Sequence, residues 1–160
     1  MLSRWRGTVY SVFDKSREGG DAAEATAAVF EALFRTAPTY DPTTSFDERL
    51  WSIVVREVER RPRAGVPAIP PARLKESAAA RAALMRAAVA ALAPGERSAF
   101  LLTRVSRLPL PLVAAACGTS EPEICRRLVR ALTGLTESLA PLFSPHPSEP
   151  EQSGDSAEAP

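Results

Sequence analysis

The sequence predicts an all-α protein of two small helical domains, and three observations carry that prediction. Apolar residues recur at intervals of three and four, no stretch alternates with period two for long enough to make a sheet, and prolines gather at two breaks. Pro62, Pro67, Pro70 and Pro71 mark one break, and Pro141, Pro145, Pro147, Pro150 and Pro160 the other. Proline lacks the backbone donor and clashes with the preceding turn, so neither stretch is expected to be helical. The expected division is a helical domain over 1–61, a proline-rich linker over 62–76, a second helical domain over 77–140 and a disordered acidic tail over 141–160. With 160 residues and 45% hydrophobic content, two small cores fit, whereas a large enzyme domain with accessories does not.

Along the first domain, Val29, Phe30, Leu33 and Phe34 fall at helical spacing, as do Leu50, Ile53, Val54 and Val58. Along the second, Leu84, Met85, Ala88, Val89 and Leu92 do the same. Three helix starts carry a capping side chain with a carboxylate three residues on: Asp21 with Glu24, Ser45 with Glu48, and Ser120 with Glu123. Pro122 falls in the first turn of the last of these, where a missing N–H is harmless.

Several function classes fall away on composition. No apolar run reaches the roughly 18 residues of a membrane span, and the apolar stretch after Arg4 and Arg6 is interrupted at Asp14 without a small-residue cleavage site, so the expected location is cytoplasmic. Cys117 and Cys125 form no C-x-x-C pair and read as two buried or half-buried thiols; the only histidine, His146, lies in the tail. With no glycine-rich phosphate loop, nucleophile elbow or metal-spaced ligand set, neither catalysis nor a metal or cofactor is expected.

The net charge of +1 conceals a division. Residues 77–140 carry eight basic and four acidic side chains, while 141–160 carry four acidic and none basic, Glu149, Glu151, Asp155 and Glu158. A +4 domain is thus offset by a −4 tail that either solubilises the chain or competes with phosphates for its arginines.

The informative stretch is Leu108 to Leu139. The apolar run Leu112 to Ala116 leads into Gly118, Thr119 and Ser120 and then into a long helix, which makes a helix, a glycine turn and a second helix. At about 100° per residue, Ile124, Leu128, Ala131, Leu132, Leu135 and Leu139 share one arc, and Arg126, Arg127 and Arg130 with Glu123 take the opposite flank. Such a helix either enters a major groove, with arginines on phosphates and base edges, or forms an antiparallel hairpin with a solvated arginine face.

Leu92-Ala93-Pro94-Gly95-Glu96-Arg97-Ser98-Ala99-Phe100-Leu101-Leu102, followed by Gly118 to Ala131, resembles the fourth conserved region of RNA polymerase sigma factors of the extracytoplasmic-function group. Asp21 to Phe30 and on to Arg35, then Pro38 to Pro42, Ser45-Phe46 and Leu50 to Ile53, resembles the second region, in the same order along the chain. The resemblance implies a promoter-specificity subunit with core RNA polymerase and promoter DNA as partners, an anti-sigma factor as a possible third, and no small-molecule substrate. It implies that Glu24, Ala27, Ala28, Glu31 and Arg35 bind polymerase, that Tyr40, Trp51 and Arg56 capture the unpaired promoter strand, and that Ser120, Glu123, Arg126, Arg127 and Arg130 contact duplex DNA. Glu123 can accept from a cytosine amino group, and Tyr40 or Trp51 can stack on a base or pack the core. The sequence departs from the family pattern at Ala27 and Ala28, where the family carries Gln-Glu, and at Glu123, where it carries threonine. Two alternatives remain open: a helix-turn-helix regulator that no longer recruits polymerase, and a helical scaffold that binds protein only.

Overall fold

The computed structural model describes residues 3–16, 21–39, 41, 43–60, 62, 63, 65–67 and 77–143. Among them the chain is all-α, with seven α-helices: α1 (Ser3–Ser16), α2 (Ala22–Arg35), α3 (Phe46–Glu59), α4 (Ala78–Ala91), α5 (Pro94–Phe100), α6 (Leu110–Ala116) and α7 (Glu121–Phe143). A short 3₁₀ turn, Ala37–Thr39, follows α2, and a π-helical turn, Leu101–Val105, continues α5. Most of the proline-rich linker and the tail from 144 on lie outside the described residues.

Helix α1 had no counterpart in the periodicities above, yet its pattern is legible: Val9, Val12 and Phe13 are buried and Trp5 packs half-buried beside them, all on one face. In α3 the buried set is Leu50, Trp51, Val54, Val55 and Val58, a band wide enough to meet neighbours on two sides. Helices α1 and α2 cover one side of it, and α5 and α6 pack on the other. Helix α1 also touches α4 and the π turn. The buried side chains form one continuous cluster, from Val9 to Leu139, that runs through the helices on both sides of the proline-rich stretch. The physical reason is that wide α3 band: a stripe that meets only α1 and α2 would leave Val55 or Val58 in water.

Arg97 lies at the centre of this joint, 3% exposed. Its Nη2 donates to the Val58 carbonyl at 3.0 Å and its Nη1 to the Ala90 carbonyl at 3.0 Å, with the Pro62 carbonyl at 3.5 Å. Val58 and Ala90 are in the last turns of α3 and α4, where carbonyls lack helical partners and the dipole is negative, so one guanidinium closes two helix ends. Arg63 does the same for Ala91 through Nε at 2.9 Å, and Arg49 hydrogen-bonds the Thr36 carbonyl at the end of α2.

Of the three capping boxes, the one at Ser45 forms its forward bond, from Glu48 N–H to Ser45 Oγ at 3.1 Å. Asp21 caps α2 without a side-chain bond, and Glu123 turns to arginines instead of back toward Ser120. Ser77 supplies a further cap, at the start of α4, accepting from Ala80 N–H at 3.2 Å. Phe34, Met85 and Leu132, placed on apolar arcs above, are 60%, 45% and 41% exposed: each sits at the edge of its arc, beyond the reach of the neighbouring helix. Helix α7 continues past Pro141 to Phe143, where a break was expected. Leu139 and Leu142 pack against the core there, and their burial outweighs the single backbone bond that proline forfeits.

Replacing Arg97 with Met keeps the volume but strands the Val58 and Ala90 carbonyls in an apolar interior. The expected loss is roughly 2–4 kcal/mol, read as a lower urea midpoint. Arg97→Lys should recover only part of it, because an ammonium cannot fork to two helix ends.

Candidate nucleic-acid interface

The turn that sets the long helix against its predecessor is a fully bonded C-cap. Gly118 has φ +60°, its N–H reaches the Ala115 carbonyl at 3.0 Å, and Thr119 N–H reaches the Ala114 carbonyl at 3.0 Å. These are the two bonds of a Schellman motif, with glycine in the left-handed position that a Cβ disfavours. Helix α7 then packs on α4, α5 and α6 through Ile124, Ala131, Leu135 and Leu139, all buried, and Leu128, half-buried. The glycine turn and the buried stripe thus stand as expected, with Leu132 the exception.

Opposite the stripe the arginines are joined by Glu123. Its Oε2 accepts from Arg126 Nε at 2.8 Å, and its Oε1 from Arg127 Nε at 3.3 Å and Arg130 Nη2 at 3.4 Å. Arg130 Nε also donates to Glu96 Oε1 at 3.2 Å, and the other oxygen of Glu96 accepts from Ala93 N–H at the start of α5. The hydrogen bond from Arg126, helped by Arg127 and Arg130, holds the Glu123 carboxyl below the usual carboxylate range against a smaller opposing effect of burial. Arg127 lies over Gly95, whose Cβ position is 3.1 Å from its Nη1, so this arginine is pinned while Arg126 and Arg130 stay exposed. Ser120 is exposed at the turn and its carbonyl accepts from Ile124 N–H at 3.1 Å.

The residues assigned to the first domain are distributed differently. On α2, Glu24, Ala27, Glu31 and Arg35 are exposed and Ala28 half-buried, forming one outward face with exposed Phe34 at its border. Trp51 is fully buried and meets Trp5 edge-on at 6.3 Å, so its ring packs the core instead of facing a base, which corrects the strand-capture expectation for this residue. The reason is its place on the inward band of α3 beside Leu50 and Val54. Arg56 is exposed on the same helix, and Tyr40 lies outside the described residues.

Both thiols are free. Cys117 is half-buried, and burial together with the nearby Glu59 carboxylate pushes its thiol up to about 11, with Arg127 opposing. Cys125 is exposed, contrary to the buried or half-buried reading, because it projects from the solvent side of α7. Among the described residues no group of His, Cys, Asp and Glu is placed to hold a metal ion, and no helix is long and apolar enough to cross a membrane.

The fold is similar to that of CnrH. The chain superposes on CnrH, solved in complex with the cytosolic domain of CnrY, with a TM-score of 0.65, 21% sequence identity, and coverage of 87% of this chain and 84% of that one. No family model matches the sequence, and no curated protein does.

Two outcomes test this geometry. Gly118→Ala should destabilise the protein by about 1–2 kcal/mol from backbone strain alone, since the Cβ would meet open space, and Gly118→Asn by less; chemical denaturation reads both. A thiol reagent at neutral pH should label Cys125 well before Cys117, whose thiolate is scarce until the pH approaches 11, and mass spectrometry after limited labelling resolves the order.

Proposed function

We propose that the protein is a sigma-like promoter-specificity subunit, which binds core RNA polymerase, directs it to promoter DNA and supports DNA-templated transcription initiation. One observation carries the reading: the Gly118 turn fixes α7 so that its apolar stripe is buried and Arg126 and Arg130 face outward, with half-buried Arg127 beside them on the same flank. A helix held this way can lie in a major groove, with guanidiniums on phosphate oxygens or guanine edges. The ordered pair of sequence motifs and the shared fold support the same reading. The two-domain division at the proline-rich segment belongs to it, as does the outward face of α2 as the polymerase contact. No step requires a catalytic side chain or a cofactor. CnrH is in complex with the cytosolic domain of CnrY, and a protein partner, in this reading an anti-sigma factor, is likewise fitting for this chain.

A second reading has its own observations. Alanines at 27 and 28 leave the α2 face with few polar contacts, and Trp51 is in the core, so a DNA-binding regulator that no longer recruits polymerase also suits the structure.

Gel filtration with purified core polymerase, followed by transcription from a library of promoters, separates the two. Co-elution with new transcripts supports the sigma reading, duplex binding without co-elution supports the regulator, and neither supports a protein-only scaffold. In duplex titrations, Arg126→Ala should reduce the salt slope by about one unit if it meets a phosphate, and should also relax sequence preference by roughly 1–3 kcal/mol if it meets a base.

A further inference from the structure

The arginine face of α7 does not stand bare. Arg126, Arg127 and Arg130 follow Glu123 by three, four and seven residues, so one carboxylate lies within reach of all three guanidiniums along a single flank. Glu96, anchored by its bond to Ala93 N–H, adds a second negative group on Arg130. Three positive charges therefore face two negative ones, and the flank presents a net charge of +1 where the arginines alone would present +3.

We propose that Glu123 is an internal competitor for DNA phosphate, which occupies the recognition arginines and so weakens sequence-independent binding of duplex DNA. The inference rests on the DNA-binding reading above. A carboxylate offers a guanidinium two acceptor oxygens, as a phosphate does, so the two ligands are alternatives for the same donors. The exchange is feasible because Arg126 and Arg130 are more than half exposed, and exposed ion pairs are weak and screened by salt. Arg127 is half-buried over Gly95, so Glu123 governs mainly the two exposed arginines. A role for Glu123 as acceptor from a cytosine amino group would require it first to leave all three arginines, so the structure favours competition over base reading. Because Glu123 is held ionised by its neighbours, the competition persists across the neutral range.

The consequence is a helix that discriminates. Phosphate contacts are made on every sequence, so an internal charge that opposes them lowers the background common to all sites and leaves base-edge contacts to decide the remainder.

The test titrates the full-length protein with a short duplex of arbitrary sequence across a salt series, for the wild type, Glu123→Gln and Glu123→Ala. Both substitutions remove the charge, and the first retains nearly the same shape. The expected result is about three- to tenfold tighter binding near 0.1 M salt, a salt slope steeper by about one unit, and curves that converge toward 1 M. A merely structural role would move affinity the other way, since loss of the network would loosen the arginines and lower the denaturation midpoint. Wild-type binding with equal or weaker binding by both variants, at unchanged slope, overturns the inference and leaves the DNA-binding reading intact. Absence of duplex binding in all three proteins removes that reading and the inference with it.

Discussion

A buried arginine joins the two halves of this molecule. Arg97 leaves α5 and places its guanidinium between the closing carbonyls of α3 and α4, elements that belong to different helical groups and are separated in sequence by the proline-rich stretch. Burying a charge is expensive unless its donors are matched, and here the match comes from carbonyls that helix geometry leaves without partners. Placing a cation at two helix C-termini also follows the direction of both dipoles. The position of α5 against α3, and with it the site of every later helix, depends on this contact together with the apolar cluster around it.

The same device recurs on a smaller scale. Arg49 takes the Thr36 carbonyl and Arg63 the Ala91 carbonyl, so three arginines close the ends of α2, α3 and α4. Basic charge in this chain thus serves two purposes that a simple count merges. The +4 of residues 77–140 includes Arg97, which no ligand can reach, and includes Arg126, Arg127 and Arg130, which are held by Glu123 and Glu96. The electrostatic character of the α7 flank is set by the balance within this network rather than by the number of arginines.

Packing both groups of helices into one cluster also ties the surfaces to each other. The outward face of α2 and the arginine flank of α7 are carried by helices that share a core through α3, α5 and α6. A change in how one face is engaged must either leave that core intact or disturb Arg97 and the carbonyls it closes. Trp51 shows the local effect: its edge-on contact with Trp5 and its fully buried position make it part of the joint.

By itself the sequence determined the helical class, the elements around residues 22–35, 46–59, 78–91 and 121–140, the Gly118 turn and the grouping of Arg126, Arg127 and Arg130 on one flank, because these follow from spacing along a single helix or from the steric rule for a left-handed residue. Helix α1 was equally legible, with Trp5, Val9, Val12 and Phe13 at helical intervals. Only the tertiary structure decided what lies at the edge of each apolar arc. Periodicity assigns Phe34, Met85 and Leu132 to a face, but burial depends on how far the neighbouring helix extends, and Trp51 goes inward because α3 is covered on two sides. It also decided which charges meet. Glu123 with Ser120 makes a capping pair by spacing alone, yet three guanidiniums within 3.4 Å outcompete one backbone N–H for its carboxylate. Arg97 finds partners 39 and 7 residues away, a pairing that spacing along one helix does not encode.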